Sequence, residues 1–135
     1  MPDGMKFKLN IDKKTMRYFQ KTMPGKFGTA KKKAVQAAGM VWADQAKEIT
    51  RNEGHIDTGL YVNSIGYKSG SPTTEADVMN EIVDQHGKTV LRIGSNVAYA
   101  SHLEKRFNIM ADALDQSKDR MNKVANEQIK RTLFN

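Results

Sequence analysis

The sequence predicts an α+β fold, with a small antiparallel β-sheet packed against long helices from the N-terminal half and the C-terminus. Three observations predict it. An alanine-rich helical pattern runs to about Asn52, residues 64–94 carry strand-like segments separated by polar turns, and from Phe107 onward apolar residues recur every three or four positions. At 135 residues a single domain over 1–135 is expected, long enough to bury roughly two-thirds of its unfolded surface. It divides into a basic arm and helix (1–28), a long helix (29–54), a sheet region (64–94), and a short helix followed by a long C-terminal one (98–133).

Met5 to Leu9 alternates loosely and reads as a short strand or an ordered arm. Ile11 to Met23 reads as a helix, with Asp12 as N-cap and Ile11, Met16, Phe19 and Met23 as its buried side. Pro24-Gly25-Lys26-Phe27-Gly28 is expected to break that helix. Thr29 is then the N-cap of a second helix reaching about Asn52, with Gly54 as its stop. Its stripe is Ala34, Ala38, Val41, Trp42, Gln45 and Ile49, widened by Ala37 and Ala46, and Gly39 adds to the small residues that let a neighbour approach closely.

Ser64 to Lys68 reads as a strand, and a polar loop with a disordered tip follows at 70–77. Val78 to Asp84 fits either a short helix or a strand. The turn His86-Gly87-Lys88 and the good strand Thr89 to Ile93 favour a β-hairpin. The C-terminal pattern is Phe107, Met110, Leu114, Ser117, Met121, Val124 and Gln128, with Ala113, Ala125, Ile129 and Leu133 on the same side. A 3-4 repeat of this length predicts a long helix lying along another helix, in this chain or a neighbouring subunit.

Composition narrows function. There is no cysteine, hence no disulfide framework, thiolate metal site or cysteine nucleophile. No apolar run reaches the length of a membrane span or a signal peptide. The net charge of +7 lies in the first 54 residues, with 12 Lys and Arg against 5 Asp and Glu; residues 55–135 hold 10 of each. Lys26 and the run Lys31, Lys32, Lys33 could face DNA phosphates or an acidic partner, and a solvated helix start is the plainer reading. No aromatic residues interleave with the triple lysine to stack bases.

The sequence holds no recognisable catalytic constellation. Gly25-Lys26 lacks both the hydroxyl after the lysine and the preceding strand of a phosphate loop. His55, His86 and His102 fit no zinc or deaminase spacing, and Ser64 and Ser101 lie in no nucleophile elbow. Asp57-Thr58-Gly59 is a turn: Asp57 accepts backbone hydrogen bonds, and Gly59 is free to take positive φ. Glu104 reads as a salt-bridge or interface residue. No enzyme activity, cofactor or metal is expected.

Two segments remain. One is Asp57-Thr58-Gly59 followed by Asn63-Ser64-Ile65; the other, about thirty residues on, is Gly94-Ser95, Tyr99-Ala100 and Glu104. In this order, between two long helices, they resemble the neck and tail-completion family of long-tailed bacteriophages, small tail-component proteins that join head and tail. The resemblance covers roughly residues 30–133. It departs from the family pattern at His55-Ile56, at Leu60 and Val62 where basic residues are common, and at Lys105-Arg106-Phe107.

The resemblance implies a structural virion protein at the head–tail junction, made in the host cytoplasm. It would be a homo-oligomeric ring, sixfold or twelvefold, that completes the tail. Its partners would be other neck, connector or tail-tube proteins, with genomic DNA passing through the channel and no membrane. Two alternatives stand beside it: a tail terminator capping the tail tube, and a small basic non-specific DNA-associated protein.

Overall fold

A computed structural model describes residues 13–53, 59–85 and 88–134. Helix α1 spans Lys13–Thr22 and α2 spans Pro24–Asn52. A single 3-10 turn at Val62–Ser64 and another at Glu75–Asp77 lead into the hairpin of β1 (Val78–Gln85) and β2 (Lys88–Ser95). Helix α3 (Ala100–Phe107) and the 26-residue α4 (Ile109–Phe134) close the chain. The architecture is α+β, long helices flanking a two-stranded antiparallel sheet.

The long helix begins at Pro24, five residues ahead of the Thr29 cap that the sequence suggested. Proline suits this place because its missing N–H would have no intrahelical acceptor at a first-turn position. The Phe27 N–H already bonds the Met23 carbonyl at 2.9 Å, so the proline–glycine segment bends the chain at Met23 and continues as helix. Thr29 lies inside, its hydroxyl donating back to the Gly25 carbonyl. Phe27 and Ala30 bury on the core side, which offsets the cost of two helical glycines, about 1 kcal/mol each. Met23, expected on the buried side, is 43 % exposed at the joint, whereas Phe19 is buried. Ile11 and Asp12 fall outside the described residues.

Helices α2 and α4 make the most extensive contact in the fold. They run antiparallel: Met110 at the start of α4 meets Trp42, and Phe134 at its end meets Phe19 beside the start of α2. The facing stripes are Ala30, Ala34, Ala38, Trp42 and Ala46 on α2, and Ile109, Ala113, Ser117, Met121, Ala125, Ile129 and Leu133 on α4. Both repeat every four residues. The expected 3-4 repeat shares Met110, Ser117 and Met121 with the buried face, but Val124 and Gln128 sit half-buried at its flank. Ridges of residues four apart pack together when small side chains let the helix surfaces approach, and alanine supplies that here. Gln45, read as part of the stripe, sits at its rim and bonds Gln116 and Arg120.

The hairpin register pairs Val78 with Ser95 and Gln85 with Lys88. His86 and Gly87, where the sequence suggests a turn, lie outside the described residues. Leu91 and Ile93 point toward α2, and Leu91 lies directly over Gly39, where a methyl group would collide with it.

The strand expected at Ser64 to Lys68 does not form. The chain makes a 3-10 turn and then bends at Gly66 (φ +72°), touching the sheet at one point, where the Gly66 N–H bonds the Gly94 carbonyl at 2.8 Å. Ile65 drops fully into the core instead of alternating along a sheet face. The 70–77 loop is tied down as well. Buried Thr73 donates to the Leu60 carbonyl at 2.8 Å, and Thr74 and Asp77 form a capping box. No helix among the described residues is long and apolar enough to cross a membrane.

Candidate interaction site

The fold brings the two sequence segments together. Ser64 and Ser95, 31 residues apart, meet in the core with their hydroxyl oxygens 2.6 Å apart. Ser64 also donates to the Tyr61 carbonyl at 2.7 Å, and Ser95 accepts the Val97 N–H at 3.2 Å. The hydroxyls therefore connect the 3-10 turn, the end of β2 and the approach to α3. Each is buried and satisfied, as a buried hydroxyl must be to avoid a net cost.

That linkage makes a prediction. Ser64→Ala should cost about 1–2 kcal/mol, because the Ser95 hydroxyl then loses its partner in a dry site. Ser64→Ala with Ser95→Ala should cost less than the sum of the two single changes. Urea unfolding of all four chains measures this, and strict additivity would mean that the pair does not interact.

Around the serines the segments interlock further. Gly59 has φ +83°, a conformation that costs most side chains about 1–2 kcal/mol. Its carbonyl accepts the Asn63 N–H at 3.0 Å. The Asn63 side chain then spans the loop, accepting from the Ser69 hydroxyl at 3.1 Å and donating to the Ser71 carbonyl at 3.4 Å. Val62 is buried and Leu60 packs against the core, so the apolar residues that depart from the family's basic ones have a packing role. Asp57 and Thr58 lie outside the described residues.

Glu104 is a helix cap, where the sequence suggested a salt bridge or an interface. Its carboxylate accepts the Met110 N–H at 2.7 Å and the Ala111 N–H at 3.3 Å. These are first-turn groups of α4 without intrahelical acceptors, and the positive helix end favours the charge. Asn108 takes the left-handed conformation (φ 54°) that lets α3 stop and α4 start at once. Tyr61 packs its ring 6.4 Å from that of Tyr99. Burial, reinforced by the Glu104 carboxylate, pushes the Tyr61 hydroxyl far above the usual phenol range. Tyr99 remains 39 % exposed. A methyl group added at Gly94 would reach Met79 and Met110 at ordinary contact distance.

One charged residue escaped the sequence reading. Lys47 is 1 % exposed, its ammonium donating to the Tyr67 carbonyl at 2.7 Å and the Ser69 hydroxyl at 2.8 Å. It also stands 3.4 Å from the centre of the Tyr67 ring, whose hydroxyl donates to Asp44. The signal was in the spacing: Lys47 falls four residues after Ala43 and three before Thr50, on the buried face of α2.

Burial, with a smaller push from Arg51, lowers its pKa from 10.5 to about 8 against the pull of Asp44. Between these values the unfolded chain binds more protons than the folded one, so this group's contribution to stability rises with pH from about 8 to 10.5. Stability of the native chain minus that of Lys47→Met should climb across this window in urea titrations. A flat difference would show that Lys47 is not held this way.

The basic residues lie apart from this junction. Lys32 meets Asp84 at 3.5 Å with both side chains about half exposed, and Lys31 stands 5.1 Å over the Phe27 ring. Lys33 is exposed and Lys26 partly so. Helix α1 adds exposed Lys13, Lys14, Arg17 and Lys21 and no acid. His102 is exposed on α3, whereas His55 and His86 lie outside the described residues. No metal-binding cluster occurs among the described residues.

Most polar atoms of the two segments are thus spent on one another, on loop carbonyls and on a helix end, an arrangement that fixes a corner. A family model described as "Bacteriophage HK97-gp10, putative tail-component" matches residues 13–105. The match starts earlier than the resemblance suggested, takes in α1 and both segments, and stops before α4. No curated protein and no solved structure matches the chain. With more than half of its length matched, including every residue of the Ser64–Ser95 junction and Glu104 itself, the chain belongs to the HK97-gp10-like family of bacteriophage tail components.

Proposed function

We propose that this protein is a non-catalytic subunit of the phage neck, a ring-forming piece that completes the tail and joins it to the head. The family match over residues 13–105 carries the reading. The geometry supports it, because the motif residues build a rigid corner between α2, the hairpin and α4, leaving the outer surface to make contacts. In a closed ring each subunit would meet its neighbours through two different surfaces. The basic residues Lys26, Lys31, Lys32 and Lys33, with those of α1, would then meet an acidic neighbouring protein or DNA in the channel.

A phage lacking this protein should replicate its DNA normally and accumulate unjoined heads and tails, seen by negative-stain electron microscopy. Absence of the protein from purified particles would refute the neck role. Tails of irregular length would favour a tail terminator instead. Salt-dependent DNA binding by the isolated subunit, abolished by changing the four lysines to glutamate, would favour the DNA-associated reading.

A further inference from the structure

The two strands of the hairpin carry opposite charge. Strand β1 holds Glu81 and Asp84 and no cation, and β2 holds Lys88 and Arg92 and no anion. All four residues are exposed. Asp84 is engaged by Lys32 and Thr89, whereas Glu81, Lys88 and Arg92 make no ion pair among the described residues. The sheet has only these two strands among the described residues, so each has an outer edge without a partner strand along most of its length. Such edges are templates for further pairing, and a two-stranded sheet gains stability when strands are added.

Charge alone on an edge strand would serve to keep stray edges apart. Segregation by sign does more. The register sets Glu81 opposite Arg92 and Gln85 opposite Lys88, so Glu81, Lys88 and Arg92 share one face, whereas Asp84, opposite Thr89, lies on the other. On the shared face, setting β2 against β2 aligns like charges, and setting β1 against β2 brings Glu81 to cations there as it does within the hairpin. We propose that the β1 edge of one copy of this chain pairs with the β2 edge of the next, continuing the sheet from subunit to subunit. Strand direction agrees. In a series of copies related by rotation about a ring axis, each incoming β1 runs antiparallel to the β2 it meets, as within the hairpin. The contact uses two different surfaces, the kind that closes into a ring. The inference rests on the ring reading above and names the surface that would build it.

Two full-length variants test it. Glu81→Lys with Asp84→Lys makes both strands basic; Lys88→Glu with Arg92→Glu makes both acidic. In sedimentation at low salt, each variant alone should self-associate at least about tenfold more weakly than the native chain. An equimolar mixture should recover native affinity to within about threefold, since the altered β1 edge of the first variant then meets the altered β2 edge of the second with the charges exchanged, and their unaltered edges meet as in the native chain. Recovery on mixing also shows that both variants fold.

If the native chain assembles only in particles, the same comparison is read by complementing a deletion phage with one variant or both. Variants that assemble as well as the native chain, or folded variants that fail to rescue each other, overturn edge pairing and leave the ring standing. A native chain that is single-copy in solution and in particles overturns the ring and the edge pairing together.

Discussion

Gly66→Ala is expected to lower the free energy of unfolding by about 3 kcal/mol or more, read from urea titrations by circular dichroism. Two costs combine. Gly66 has φ +72°, which costs an alanine about 1–2 kcal/mol. Its added methyl carbon would lie 2.6 Å from the Ala43 Cβ and 3.0 Å from the Ile93 Cδ1. Ala43 has no rotamer with which to move aside, so relief requires shifting α2 or the bend itself, at about 1–3 kcal/mol for overpacking. Gly25→Ala is the control: nothing lies within 4 Å of the position, and it is helical, so stability should hold or rise by up to about 1 kcal/mol. A loss below about 1 kcal/mol at Gly66 would mean that the bend is not seated against α2.

Gly66 also shows what the sequence could and could not convey. Local rules recover the helices and the hairpin, because each depends on residues within a few positions. The bend at 64–68 depends on contacts from elsewhere. Ser64-Ile65-Gly66-Tyr67 alternates acceptably for a strand, but Ser95, Ala43 and Ile93 draw it inward, and none of them is nearby in sequence. Lys47 hides for the same reason, since the carbonyl and hydroxyl that accept its charge belong to residues 67 and 69. Pattern counting assigns a lysine to water unless an acceptor is known. The heptad on α4 erred more subtly. The 3-4 repeat and the four-residue repeat coincide at Ser117 and Met121 and diverge on either side, and the alanines of α2 decide between them. For the candidate site, the residues were visible in sequence, but their meeting across 31 positions was not.

Trp42→Ala should be the other severe change, costing about 3–5 kcal/mol. The α2 stripe is otherwise mostly alanine, so Trp42, 1 % exposed, is the bulky side chain that fills the space between α2 and the start of α4. Its indole N–H also donates to the Met110 carbonyl at 3.1 Å. Trp42→Phe keeps most of the volume and loses the donor, and should cost about 1–2 kcal/mol. Both are read by far-ultraviolet circular dichroism in urea, because the chain's single tryptophan is the residue removed.

With domain stabilities of about 5–15 kcal/mol, the alanine variant stands close to unfolding at growth temperature and should fail in particles through loss of folded subunit. The strand-charge variants should fail while folded and recover when mixed. Finding Trp42→Ala folded at native stability would remove the α2–α4 contact as the core of the subunit. Finding it unstable, beside stable charge variants that assemble only together, would separate the residues that make the subunit from those that join it to its neighbours.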